Sequence, residues 1–542
     1  MYGRWTMNVR RIILLMCALG ALIAIAVPAV PYVLDHTRDA VAASVPESAT
    51  GTAPHKVAEV APPPRQSTGD FSVSKENALP GTRAWEVRNP GPQNAIEGYT
   101  NHVSVTSGQP FDLYVSTTAS SFEVQAFRMG YYGGKQGRLV WSSKSVRGQI
   151  QPPAKVVPGI FMATAPWKPS MSIGTKGWPE GDYLLKLTSR KGNERNVPIT
   201  VRSTSTAGKT VFVNATATWQ AYNSWGGHNI YAGPPGPRSY AERSRKVSFD
   251  RPYDRGGSGQ FLWHELPMLV TAEKLGLRMA YVTSSELDNM PELFKGARSL
   301  IFPSHDEYWS SGMRDTATKA RDTGINMAFF GANNVYRHVR FEASALGDQR
   351  FVTCYKDPSE DPMVLTDPNE ATQQWRLPPN PRPESELLGV QYEWLGVTAP
   401  YVVTDADSWV YAGTGAKNGS KYPGLVAVEY DKLFTGPEVP RPIQALSDSP
   451  VTLGKKHSFS NSTYYTTPSG AGVFSSGTLG WTCTVNNDRC SYRVPQSSVK
   501  FARKVSENIL TAFQAGPAGA KHPAVDNYNT YARPPAGFSY AH

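Results

Sequence analysis

The sequence predicts an α/β protein with a mostly parallel sheet, preceded by an all-β sandwich. Three observations lead there. Residues 299–330 read as strand, loop, helix and strand, one unit of a parallel sheet. Apolar runs alternate with helical patterns from residue 210 onward. Between 83 and 205 short alternating segments are separated by turn residues instead.

The chain begins with Arg4, Arg10 and Arg11, followed by an apolar run of 23 residues at 12–34. That length spans a bilayer, and the arginines place the N-terminus in the cytoplasm. Pro28 and Pro31 weaken a full-length helix, and Ala40-Val41-Ala42 suits signal cleavage. Residues 1–46 are therefore an anchor or a cleaved signal, and the protein is expected to be exported, held in the membrane by 12–34 or secreted after cleavage near Ala42. Residues 47–82, rich in Ala, Pro, Ser and Val, read as a flexible linker.

In the sandwich, residues 102–107, 111–116 and 122–128 alternate apolar and polar, and 183–188 and 196–202 complete the set. The α/β domain covers 206–515. It opens with a strand at 210–214 and an aromatic loop, TWQAYNSWGG, at 218–227. A helix at 258–275 ends at Gly276, and a strand follows at 277–282. In the central unit, Ser310 or Ser311 caps the helix and Gly324 stops it. A Pro-rich insertion at about 343–401 interrupts the pattern, which returns at 424–428, 472–480 and the helix 497–513. Residues 516–542 read as a poorly ordered or wrapping tail.

The formal net charge of +11 is scattered, with no Lys/Arg run longer than two, which argues against a nucleic-acid partner. Of the four cysteines, Cys483 and Cys490 are spaced to close a small loop in an oxidising compartment, with Cys354 left free. No Gly-x-Ser-x-Gly elbow and no His-Glu-x-x-His motif occurs. A metal-activated water is thus a better expectation than a covalent nucleophile.

The candidate residues sit where parallel strands end, the usual place for a ligand. His305 can act as general base, and Glu307 can bind metal or hold the imidazole. Both also fit a bland role, Glu307 favouring the dipole of the following helix. Asn333 and Asn334 suit an oxyanion or a carbonyl contact, or simply a turn. Tyr222 faces the same crevice; as tyrosinate it suits Fe(III), a small, highly charged cation that keeps the phenol deprotonated.

The blocks VFVNATATWQAYNSWGG, SHDEYWS, GANNVYRHVRF, VAVEYD and SGAGVFSSGTLGW occur in this order. With FRMGYYGG and GDYLLKL upstream, they resemble the large (beta) subunit of N,N-dimethylformamidase and its single-chain actinobacterial relatives, over about residues 90–510. The resemblance implies a glutamine-amidotransferase-like α/β domain behind the sandwich. It also implies a mononuclear Fe3+ site held by two tyrosines and one glutamate, with His, Asn and Glu acting on water and amide. Carried over residue by residue, Glu307 and Tyr222 are metal ligands and Tyr183 is the second tyrosine. His305 is the base, Asn333 the amide contact with Asn334 as its rival, and Glu429 the second carboxylate with Glu393 as the alternative.

The expected partners are a small amide or other carbonyl substrate and the membrane, with an oligomer compatible. Two departures matter: no small partner subunit is visible, and the chain reads as exported. The competing expectation is a non-catalytic envelope protein presenting aromatics to carbohydrate on the same fold, motivated by 26 Tyr and 13 Trp.

Overall fold

A computed structural model of the chain describes residues 71–486 and 490–538. The anchor or signal segment and most of the expected linker lie outside the described residues. Residues 71–82 depart from the linker reading. They include the short helix Val73–Asn77, capped by Ser72, with Val73 and Glu76 buried. Among the described residues no helix is long and apolar enough to cross a membrane.

Two sheets follow. One has three strands, centred on Phe111–Thr117 between Ile96–Thr100 and Met171–Ile173. The other pairs Ser121–Met129, Gly181–Ser189 and Glu194–Val201 antiparallel. Ile96 and Leu113 from the first sheet share one core with Val124, Leu185 and Val197 from the second. This is sandwich packing, in which alternate side chains of each sheet face inward.

The second half is built on a seven-stranded sheet. Its parallel part runs Met279–Thr283, Thr210–Asn214, Ser299–Phe302, Asn326–Phe329 and Gly472–Ser475. Thr463–Thr466 and Ile443–Ala445 extend it antiparallel. The strands are buried on both faces, as parallel sheets covered by helices require. Helix Ser311–Asp322 returns the chain between two of these strands, its N-cap Ser310 accepting from the Met313 N–H.

Several segments differ from expectation. The single helix expected at 258–275 is two, Gly259–His264 and Leu266–Lys274, because Pro267 opens a new helix. Residues 424–428 do not enter the parallel sheet. They belong to Lys421–Lys432, which pairs antiparallel with Gln391–Val402 in a two-stranded ribbon. The insertion is accordingly more regular than its Pro content implied; it opens on a hairpin, Arg340–Ser344 with Gly347–Thr353. The described part of the tail wraps, with the Asn527 N–H donating to the Ile443 carbonyl and the Ala536 N–H donating 2.9 Å to Glu393.

A buried ionic contact ties the two halves. The Arg128 guanidinium in the sandwich donates 2.8 Å to Glu273 on helix Leu266–Lys274 and 2.9 Å to the Tyr281 hydroxyl. Both charged side chains are fully buried. Arg128 also donates to the Tyr132 hydroxyl, which in turn donates to Glu76 of helix Val73–Asn77.

Candidate active site

Three strand ends supply the site. Thr210–Asn214 runs into the helix Thr216–Tyr222, whose last residue is Tyr222. Ser299–Phe302 runs into the loop carrying His305 and Glu307, and Asn326–Phe329 into Asn333. Glu429 arrives from the ribbon. There Leu395 pairs with Glu429 and Val397 with Val428, so one residue is skipped, and Val428 takes φ 68°. Such a bulge re-aims the neighbouring side chain, and a β-branched residue at positive φ is strained.

Tyr222, Tyr231 and Glu307 meet. The Tyr222 hydroxyl donates 2.6 Å to Glu307 Oε2, and the Tyr231 hydroxyl donates 2.7 Å to the same oxygen and 2.9 Å to Oε1. His305 Nε2 lies 3.0 Å from the Tyr222 hydroxyl and 3.4 Å from Glu307 Oε2. On the other side of the imidazole, Nδ1 is 3.6 Å from Glu429 Oε2. Arg337 Nε stands 3.8 Å from Glu307 Oε1, and Lys356 Nζ lies 3.3 Å from the Tyr231 ring centroid.

These contacts push the titrating groups apart. Burial opposes charge on His305, but Glu429 and Glu307 outweigh it and raise the imidazole to about 9. Burial would lift Glu307 as well, yet the hydrogen bond and charge of His305, with Arg337 and Lys356, hold it down to about 2. Burial wins at Glu429, raising it to about 7 against the pull of His305. Burial and the Glu307 charge push both phenols well above the usual tyrosine range. His264, whose ring centroid is 5.8 Å from that of His305, is driven down to about 3 by burial and by His305. The surroundings thus favour the charged form of His305 and the neutral form of His264.

Asn333 sits at φ 58°, a conformation asparagine tolerates better than most residues. Its N–H donates 2.8 Å to Asp431, and its side chain hydrogen-bonds Glu429. Asn333 Oδ1 is buried without a hydrogen-bond partner, as is Glu429 Oε2. Buried polar atoms are normally paired, so both are open to a further hydrogen bond.

The sequence-predicted residues divide accordingly. Tyr222, His305, Glu307, Asn333 and Glu429 are brought together. Tyr183 is not. It is 1 % exposed in the sandwich core, stacked on Trp178 at 5.0 Å, with its hydroxyl donating to the Pro179 carbonyl. Strand Gly181–Ser189 turns it inward among apolar side chains, so it cannot be the second tyrosine ligand. The phenol beside Tyr222 is Tyr231, a residue the sequence reading passed over. Its signal was an extra tyrosine just beyond the aromatic loop, where Asn229 Oδ1 accepts from the Tyr231 and Ala232 N–H groups and fixes the turn.

The two rivals have other work. Asn334 Oδ1 accepts from the Asp306 N–H and holds the His305–Glu307 loop. Glu393 is paired with Lys432 at 3.1 Å and accepts from Tyr430. Cys483 and Cys490 are joined by a disulfide, and Cys354 is free and buried.

A cavity of about 760 Å³ opens onto this cluster, with Tyr222, His305 and Glu429 in its wall.

The comparisons bear on this architecture. Residues 123–492 match the family described as N,N-dimethylformamidase beta subunit-like, C-terminal. No curated protein matches the chain. Among solved structures, similarity is found to a Paenibacillus sp. cycloisomaltooligosaccharide glucanotransferase complexed with cycloisomaltoheptaose, at 11% identity and TM-score 0.14, over 34% of this chain and 27% of that one. A calcium-binding mutant of Bacteroides uniformis beta-glucuronidase 2 shows 10% identity and TM-score 0.14, over 45% of this chain and 28% of that one. The chain thus spans under a third of either structure, and neither carries an argument. The family match covers about two-thirds of the sequence and contains every residue of the cluster. This chain belongs to the N,N-dimethylformamidase beta subunit-like family.

Proposed function

We propose that this protein is an Fe3+-dependent amidohydrolase that cleaves an amide C–N bond with water. The observation that carries the reading is the contact of two phenols and one carboxylate beside an imidazole, next to a cavity whose wall holds Tyr222, His305 and Glu429. Among the described residues no group of three His, Cys, Asp or Glu is arranged to hold a metal. The reading therefore places tyrosine among the ligands. Tyr222, Tyr231 and Glu307 form a donor set of three oxygens, each anionic once its proton is lost, which suits a hard, highly charged cation. Packed as they are, the phenols are reluctant to ionise without one.

When bound, a ferric ion supplies Lewis-acid polarisation and acidifies a water. The protein's own groups do the rest. Asn333 orients the substrate through its open amide oxygen. Glu429, poised near neutrality, accepts a proton from the attacking water and returns it to the departing nitrogen. His305, held between two carboxylates, keeps its charge beside them and supports the oxygen developing on the acyl carbon. The oxygen of water joins the acyl carbon, the C–N bond breaks, and an acid and an amine leave.

The same resemblance supports a glutamine-amidotransferase-like reading of the α/β domain at 206–515, with the sandwich at 83–205. Export, by anchor or cleaved signal at 12–34, belongs to this proposal too. The competing carbohydrate-binding reading is weakened by where other aromatics lie: Trp309 and Trp481 are among the most deeply buried side chains.

The test is iron content, a visible spectrum and amine release by the purified full-length protein. A coloured, iron-loaded protein that loses its band and its amine release in Glu307→Ala is expected. A colourless protein that takes up no iron sinks the reading.

A further inference from the structure

We propose that the substrate is a bulky amide carrying a ring and a carboxylate, rather than a small dialkylamide; this rests on the amidohydrolase reading above. The cavity at the cluster measures about 760 Å³. Cavities of roughly 300–1,000 Å³ enclose drug-sized ligands. An amide of a few heavy atoms would leave most of this space to water and gain little from it.

The wall tells what the rest of the ligand is. Trp85, Trp219, Tyr253, Phe261 and Trp263 line the cavity. Trp219 is set edge-on to Tyr253 and Phe261, at 6.3 and 6.0 Å between centroids. Its indole N–H is held by Glu265 at 2.8 Å, so this aromatic face is fixed in place. Such faces receive rings.

The charged part of the wall is unbalanced. Arg83, Arg88, Arg195 and Arg255 line it, against Glu86, Asp254 and Glu429, and the Arg195 guanidinium is already taken up by the Ile96, Pro90 and Pro92 carbonyls. Glu86 is shared, 2.9 Å from Arg83 and 3.6 Å from Arg88. Two guanidinium groups sharing one carboxylate leave positive charge at that end of the wall, which favours an anionic ligand, and guanidinium binds carboxylate bidentately. Arg83, Trp85 and Arg88 come from residues 83–93, which lie before the family match begins at residue 123. This wall belongs to the chain's own N-terminal segment and can set its specificity.

Two glycines permit a clean test. Gly256 and Gly259 line the cavity, neither has a positive φ, and a Cβ at either meets no atom within 4 Å. Gly256→Trp and Gly259→Trp therefore add a ring at the cavity wall without backbone strain. The probes are N-benzoylglycine, N-methylbenzamide, which lacks the carboxylate, and N-methylformamide, which lacks the ring as well. Hydrolysis is followed by amine release, and binding of N-benzoylglycine separately by calorimetry, on the full-length iron-loaded protein. The expected order of kcat/KM is N-benzoylglycine above N-methylbenzamide above N-methylformamide, at least tenfold per step. Gly256→Trp should raise KM for N-benzoylglycine at least tenfold and leave N-methylformamide within twofold. Arg88→Gln should narrow the gap between the first two probes. Binding that Gly256→Trp abolishes, with no hydrolysis of any amide, would support the ligand class and overturn the reaction. Hydrolysis of N-methylformamide as fast as N-benzoylglycine, with both glycine variants indifferent, overturns the ligand class alone. Neither binding nor hydrolysis overturns both.

Discussion

The hydroxyl oxygens of Tyr222 and Tyr231 lie 2.8 Å apart, and both donate to the same Glu307 oxygen. Three acidic oxygens share two protons, and a metal would replace both. Tyr222→Phe and Tyr231→Phe are each expected to weaken iron binding roughly tenfold or more and to shift or remove the visible band. Tyr183→Phe should keep iron and colour intact. It loses only a hydrogen bond to the Pro179 carbonyl, at about 1 kcal/mol of stability. Metal analysis and absorption spectra of the three variants decide which tyrosines are ligands.

The two candidate glutamates should separate in kinetics and in unfolding. Glu429→Gln is expected to lower kcat by about 10²–10⁴-fold with little change in melting temperature. Glu393→Gln breaks a buried pair with Lys432 and should cost about 3 kcal/mol of stability. Its activity per folded molecule should be unchanged. Thermal melts beside steady-state assays distinguish the two.

Asp182 gives a pH-dependent stability away from the site. Its Oδ1 accepts from Thr200 and Asn214, its Oδ2 has no hydrogen-bond partner, and burial lifts it to about 6 against those hydrogen bonds. A carboxyl raised on folding binds its proton more tightly in the native state. It therefore costs stability above pH 6, and the cost is relieved as pH falls from about 6 to about 4. Wild type minus Asp182→Asn should change by on the order of 2 kcal/mol across that window. Denaturant melts at pH 4.5 and 7.5 read it, and a flat difference would mean that Asp182 is not raised.

Removing the disulfide by Cys483→Ser with Cys490→Ser should lower stability by about 2 kcal/mol, as expected for a short closed loop. Neither cysteine touches the cluster, so amine release at 25 °C should survive. Reduction of the wild type with dithiothreitol should reproduce the shift.

Local signals carried most of what the sequence revealed. The unit around His305 and Glu307 was legible because apolar runs, an N-cap serine and a stopping glycine are all written within thirty residues. Tyr183 misled because separation along a chain carries no distance in space. Only the register of Gly181–Ser189, set by two neighbouring strands, says that this ring faces the sandwich core. Tyr231 was hidden for a related reason: a turn held by Asn229 delivers it, and no periodicity announces a turn. Asn333 and Asn334 are adjacent and chemically identical, and only a left-handed backbone at the first gives them separate tasks. The segment 424–428 looked like a buried strand and is one, but a two-stranded ribbon and a parallel sheet bury the same residues.

The Arg128–Glu273 contact constrains how the protein can work. Prising the sandwich away from helix Leu266–Lys274 would strand two opposite charges in a dry interface, an opening priced at several kcal/mol. Ligand traffic by hinged jaws is thus disfavoured. A ligand therefore has to reach Tyr222, His305 and Glu429 with the sandwich docked, through a cavity whose wall already holds residues of both halves.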